Sequence, residues 1–376
     1  MDHQRQLFVS LAAILLGFGV LMVYSASITS RPTEFEQVYL SRHLVFLGLG
    51  LTTAAVASAV PVRAWPRLAP WLFVATIVLL VLVLVPGVGT RVKGAQRWIR
   101  FGPISGQPSE LAKIALPLFL ATVIARRRER LGSWVHGLLP PSIPILMVVP
   151  LVLFEPDLGT SLFLATLGAV ALFCGGWPVR NFILGGALCV PPVVYLVLRK
   201  PYQMQRITGF VDTWVDWTNA PYQLKQSLVT LGSSGLWGTG LGRGIQKLSF
   251  LPEANTDFIF AVIGEELGLV GMLTILAVWA ALYLVGLQLL NRLERGSFEY
   301  IAAFTLLTQL FLQMGINVAV VTAMVPPKGI PHPLLSSGGS NLVVSIMTLG
   351  LIVGLTRRPA AAPEIASGQT KTGGPA

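Results

Sequence analysis

Apolar runs about 20 residues long, the length that crosses hydrocarbon as a helix, recur from one end of this 376-residue chain to the other. Inside a bilayer the backbone has no water to bond, so each run must close its own hydrogen bonds, which a helix does. Ten spans are predicted, at about 7–28, 43–60, 69–86, 109–126, 138–154, 158–175, 181–198, 258–291, 299–325 and 340–356. Charged residues make up only 11% of the chain, against about 25% in soluble domains. The fold class expected is therefore an all-α polytopic membrane protein, with a large loop from Arg199 to Thr256 between the seventh and eighth spans. The run Leu7–Ala26 is longer than the apolar core of a secretory signal and is followed by further spans, so it reads as a membrane helix. The eighth run is too long for one upright helix and predicts a tilt or an extension past the membrane. Residues 1–358 form the membrane domain, and 359–376, with Ile365 as the one large apolar side chain, are expected to be a disordered tail.

Arg126-Arg127-Arg128-Glu129-Arg130, Arg63 with Arg67, Arg292 with Arg295, and Arg357 with Arg358 all fall on one side, in short segments beside span ends. Density of this kind marks the cytoplasmic side, and both termini are placed there. The remaining basic residues then face outward, in Arg91–Arg100 and in the long loop with Arg199, Lys200, Arg206, Lys225, Arg243 and Lys247. Such positions attract anions, either a phosphorylated substrate or anionic lipid headgroups. Cys174 and Cys189 sit in apolar runs without a CxxC or His-rich partner, so neither a disulfide framework nor a zinc site is expected.

Against this background the acids stand out. Phe250–Gly268 reads FLPEANTDFIFAVIGEELG and carries Glu253, Asp257, Glu265 and Glu266 at the entrance to the eighth run and within it. A carboxylate at the bilayer centre costs about 2.5–3.5 kcal/mol even on the forgiving scale, so each is either functional or tightly paired. Glu265 and Glu266, placed about two turns deeper than Asp257, read as interhelical or partner-facing; Asp257, at the water boundary, reads as a candidate base. Gln107-Pro108-Ser109-Glu110 opens the fourth span, and Glu110 and Lys113 are neighbours on one helical face. That pair either neutralises itself or forms a charged cavity wall. Asp157, in Phe154–Thr160, suits a helix cap. Gly232–Gly244 matches neither phosphate-loop spacing and predicts a flexible or re-entrant segment. Pro326–Pro333 and Ser336–Ser340 form an ordered irregular loop; its serines lack a His/Asp partner, so nucleophilic catalysis is discounted.

GAQRWIRFGPISGQPSELAK, FEPDLGT, RITGFVDTW, YQLKQSLVTLGSSGLWGTGLGRGIQKLSFLPEANTDFIFAVIGEELG and PPKGIPHPLLSSGGS, in that order from Gly94 to Ser340, resemble the SEDS family of FtsW and RodA. The resemblance implies a ten-helix peptidoglycan glycosyltransferase that polymerises lipid II on the outer face of the inner membrane, paired with a class B penicillin-binding protein and other division or elongation membrane proteins. The family's essential aspartate falls on Asp257, and its cavity Glu and Lys fall on Glu110 and Lys113. Asn255 stands where the family usually has His, and His332 and Ser337 also depart from the commoner last-loop pattern. Lys328-Gly329 and Gly264 look more like FtsW than RodA.

The mechanism expected has Asp257 as general base, with Arg97, Arg243 and Lys247 stabilising the diphosphate that leaves and with Glu110, Lys113 and Glu253 as further substrate contacts. A divalent cation, Mg or Mn, would assist such chemistry, although no ligand cluster in the sequence demands one. Nothing suggests nucleic-acid binding. The rival classes are an elongation polymerase of the RodA kind, a lipid II flippase and a scaffold for division proteins.

Overall fold

A computed structural model describes residues 3–27, 35–92, 95–102, 104–248 and 250–357. Lys93, Gly94 and the predicted tail lie outside the described residues. Ten apolar helices follow the ten predicted spans: α1 (His3–Ser27), α2 (Phe35–Ala59), α3 (Trp65–Leu84), α4 (Pro108–Arg126), α5 (Trp134–Phe154), α6 (Leu158–Cys174), α7 (Val179–Arg199), α10 (Ile259–Leu290), α11 (Phe298–Val321) and α12 (Gly339–Leu355). Two more, α8 (Pro201–Val215) and α9 (Tyr222–Ser233), lie in the long loop. The end of the bundle that carries this loop is called the loop end below.

α4 is apolar on nearly every side and is buried along most of its length, with Ile114, Leu116, Leu118 and Leu120 fully enclosed. A helix apolar all round belongs at the centre, and α4 packs against α3, α5, α6, α11 and α12. α2 and α12 approach closely because Gly350 has no side chain; a Cβ there would stand 2.4 Å from Ala54 O. α7 packs least, and Ile183, Leu188 and Val190 face outward, as suits lipid.

The purely helical expectation is amended by a small antiparallel sheet, β1 (Gly89–Val92), β2 (Ala95–Phe101) and β3 (Ile104–Gly106), in order β1-β2-β3. In β2, Ala95 and Ile99 are buried while Arg100 is exposed, the alternation of a strand with one covered face. Gly89 and Gly106 flank Ile99 in register.

The eighth span also differs from expectation. Beyond the tilt or extension expected of so long a run, α10 breaks at Gly268, whose φ of 68° and ψ of −167° only glycine adopts freely. A straight helix would hold Phe260 and Trp279 about 28 Å apart, yet both rings pack on His332, at centroid distances of 6.2 and 5.7 Å. The short arm, residues 259–267, therefore folds toward the long arm, residues 269–290. The long arm alone measures about 33 Å, enough for the hydrocarbon core. Amides exposed by the break find partners in the long loop: Leu269 N donates to Gly235 O (3.1 Å) and Val270 N to Leu236 O (3.2 Å). In return Thr239 N and Gly240 N donate to Glu265 O and Glu266 O, both at 2.9 Å.

This fold reverses the expected depth of the acids. Glu266 accepts from Ser25 Oγ (2.7 Å), two residues from the loop-end terminus of α1. Asp257 meets Asn317, a turn inside the loop-end terminus of α11. Asp257 is thus at the foot of the short arm, and Glu265 and Glu266 are at its crest.

Candidate functional site

A cavity of about 1010 Å³ opens at the loop end, walled by α2, β2, α4, the α5–α6 turn, α8, the segment before α10 and the last loop. It brings together Asp257, Glu253, Glu110, Lys113 and Arg97. Arg243 and Lys247 do not line it. Arg243 is exposed on the long loop. Lys247 is buried elsewhere, its Nζ 2.6 Å from Glu266 Oε1 and 3.0 Å from Ser25 Oγ. Its charge is consumed in that pair, which corrects the expectation of a phosphate contact. Glu265 completes the joint by accepting the amides of Ile245 (2.7 Å) and Gln246 (3.1 Å).

Glu110 and Lys113 form the floor. Pro108 starts α4 and Glu110 falls in its first turn, where the helix dipole favours an acid. Lys113 Nζ is 2.7 Å from Glu110 Oε1 and 3.4 Å from Gln313 Oε1, and it sits over the Phe163 ring at 5.4 Å. Both predicted roles, mutual neutralisation and cavity wall, thus coincide in one pair.

Arg97 lines the cavity but is largely engaged. Its guanidinium donates to Glu155 O (3.0 Å), Pro156 O (2.6 Å) and Asp157 Oδ2 (3.1 Å), tying β2 to the α5–α6 turn. Asp157 caps α6 through Thr160 N at 3.0 Å, the role its sequence context suggested. Beside this clamp Glu155 is fully buried, with no hydrogen-bond partner for either carboxylate oxygen. Burial, with Asp157 adding repulsion and Arg97 opposing, pushes its carboxyl up to about 8.

Asp257 opens on the cavity next to Gly329, where a Cβ would stand 3.4 Å from Asp257 Oδ2. Glu253 accepts from Thr256 Oγ1 at 2.9 Å. Asn255 is outside the cavity lining and contributes its carbonyl, which accepts from Ser337 N at 2.9 Å. The position at which the chain departs from the resembled motif therefore presents no side chain to the cavity. His332 is buried against Phe260 and Trp279, and burial pushes its imidazole down to about 4, so it stays neutral.

Four cavity cations were not singled out as site residues: Arg42, Arg100, Arg206 and Lys328. Arg206 donates to Pro327 O at 3.1 Å and lies 4.6 Å over the Tyr202 ring. Lys328 is partly buried, and desolvation lowers its pKa. The Pro326-Pro327 corner was a usable signal for Lys328, and Arg100 and Arg206 belong to the outward basic segments already noted in the sequence; a lone arginine in α2 offers no such signal. With the bases Arg42, Arg97, Arg100, Lys113, Arg206 and Lys328 against the acids Glu110, Asp157, Glu253 and Asp257, the cavity is electropositive and suits an anion beside a carboxylate. Among the described residues no three His, Cys, Asp or Glu side chains gather as a metal site; a divalent cation held by one or two carboxylates would need substrate oxygens to complete its shell.

The family model described as "Cell cycle protein", of the FtsW, RodA and SpoVE type, matches residues 5–360. A protein of Geobacter sp. (strain M18) named probable peptidoglycan glycosyltransferase FtsW is 39% identical, over 93% of this chain and 95% of its own. One of the same name from Aromatoleum aromaticum is 41% identical, over 90% and 84%. Among solved structures, a chain of a peptidoglycan synthase complex that coordinates polymerization and crosslinking superposes with TM-score 0.76 at 30% identity, covering 93% of this chain and 96% of that one. Thermus thermophilus rod shape determining protein RodA superposes with TM-score 0.69 at 29% identity, covering 93% and 95%. On this evidence the chain is a member of the FtsW/RodA/SpoVE family of cell cycle proteins.

Proposed function

We propose that this chain is a peptidoglycan glycosyltransferase that polymerises lipid II, in the septal role of its FtsW-named relatives, with Asp257 as the general base. The observation that carries the reading is the Asp257 carboxylate opening on a cavity lined by six bases. Asp257 takes the proton from the 4-hydroxyl of the acceptor sugar as that oxygen attacks the anomeric carbon of the donor. The anomeric C–O bond to the diphosphate breaks, and the electron pair leaves with undecaprenyl diphosphate. An α-linked donor giving a β-1,4 glycan requires inversion, so one displacement and one base suffice without a covalent enzyme intermediate. The leaving diphosphate develops charge in the cavity that Lys328, Arg206, Arg42 and Arg100 line, and cations of this kind stabilise it. Glu110 and Lys113 shape the floor, while Arg97 holds the wall and has little left to offer a phosphate.

The reading places the protein in the inner membrane with both termini cytoplasmic and the loop end outside, where polymerisation occurs. A class B penicillin-binding protein is the partner proposed, a reading supported by the likeness to a chain of a peptidoglycan synthase complex that coordinates polymerization and crosslinking. The test uses the purified protein with that partner, lipid II and the variant Asp257→Ala. Glycan chains from the parent and none from the variant are expected. A parent that makes no glycan overturns the enzyme reading, and flipping of lipid II in sealed vesicles without polymerisation replaces it with a transporter. A variant that polymerises at the parent's rate removes Asp257 as the base.

A further inference from the structure

Three consecutive backbone carbonyls lead into the short arm of α10, and each accepts a donor from outside its own segment. Asn255 O accepts from Ser337 N at 2.9 Å, Thr256 O from Ser336 Oγ at 2.6 Å, and Asp257 O from Asn317 Nδ2 at 2.8 Å. The second amide hydrogen of Asn317 goes to Ile330 O at 2.9 Å. One side chain of α11 thereby holds both the residue that enters α10 and the loop that closes beside it. Asn317 and Ser336 are each 1% exposed, and neither borders the cavity.

A buried amide in a membrane helix calls for a reason, and so does a buried serine that lacks catalytic partners. Here both are spent on the same three peptides. With their carbonyls fixed on protein donors, the peptides of residues 255–257 have one orientation, and the Asp257 side chain is the part of the segment left to open on the cavity. A carboxylate base must meet its hydroxyl at hydrogen-bonding distance, and a misplacement near 1 Å costs on the order of 10²-fold in rate.

We infer that Asn317 and Ser336 are positioning residues of the transfer, setting the carboxylate of Asp257 through its backbone without touching substrate. The inference rests on the reading of Asp257 as the base. Ser337 joins them through its amide, which no substitution other than proline removes. The last loop, whose serines have no nucleophilic partner, acquires a chemical role by this route.

Ser336→Ala and Asn317→Leu are compared with the parent in the full-length protein co-purified with a class B penicillin-binding protein. Initial polymerisation rates are measured across lipid II concentrations and normalised to the fraction of protein that binds lipid II. Each variant is expected to lower kcat by about 10–100-fold while KM stays within about twofold. An unchanged kcat in Ser336→Ala overturns the inference, as does a loss confined to KM, which would place these groups on the substrate. If Asn317→Leu does not fold, Ser336→Ala decides alone. Asp257→Ala runs in parallel: if it polymerises normally the base reading fails, whereas if it is inactive and Ser336→Ala is unimpaired only the positioning role of Ser336 and Asn317 fails.

Discussion

Glu155 is a residue the fold holds in its neutral form. Its carboxyl is pushed up to about 8 from an ordinary value of 4.5, so between those limits the folded protein binds a proton that the unfolded chain has released. Stability therefore falls as pH rises from about 4.5 to about 8, by about 1.4 kcal/mol for each unit of separation at most, and is level above that window. Glu155→Gln keeps the shape and removes the titration. The thermal midpoint in detergent is expected to match the parent near pH 4.5, to exceed it increasingly toward pH 8, and to keep a constant lead beyond. A constant difference across the whole range would show that Glu155 does not titrate there. The residue was legible in the sequence as part of Phe154–Thr160, but its burial was not, because that depends on Arg97 arriving from β2 across 58 residues of chain. Asn255 teaches the converse: its departure from the family looked consequential in sequence, and the fold uses its carbonyl, which every residue carries.

The elements show where reading apolar length succeeds and where it fails. Spans were legible because hydrocarbon sets their length and nothing else in the chain satisfies it. The break in α10 was hidden because Gly268 is one glycine in a continuous apolar run, and membrane helices commonly tolerate such a residue. What makes it a turn is the long loop, whose Gly235–Gly240 backbone takes over the exposed amides. The same concealment inverted the order of the acids and moved Lys247 from substrate to structure. Lys247 and Glu266, with side chains 0% exposed, latch the crest of the short arm to α1 through Ser25. Removing one partner strands the other charge, so Lys247→Met is expected to cost about 3–5 kcal/mol, whereas Lys247→Met with Glu266→Leu is close to neutral. Unfolding and polymerisation assays on both variants check this. Recovery of fold and rate in the double variant confirms a latch; a stable double variant with lipid II binding lost would return Lys247 to the substrate.

On the scale of the whole molecule, the chain separates its charge by end. The cavity bases, the long loop and the sheet share the loop end, while Arg126–Arg130 and the Arg128–Glu294 pair at 2.9 Å lie between spans at the other. Raw counts of Lys and Arg hide this asymmetry, because the long loop contributes many cations that the orientation rule does not weigh. Polymerisation of a substrate presented outside requires the cavity end to face outward, so orientation and function stand or fall together. Single cysteines at Gln205, exposed on α8, and at Ser133, exposed between α4 and α5, distinguish the two arrangements once Cys174 and Cys189 are replaced by Ala. A membrane-impermeant maleimide on intact spheroplasts is expected to label Gln205→Cys within minutes and Ser133→Cys only after lysis. The reverse pattern would put the cavity in the cytoplasm, where no base on Asp257 could extend a glycan outside, and the catalytic reading would fall with the topology.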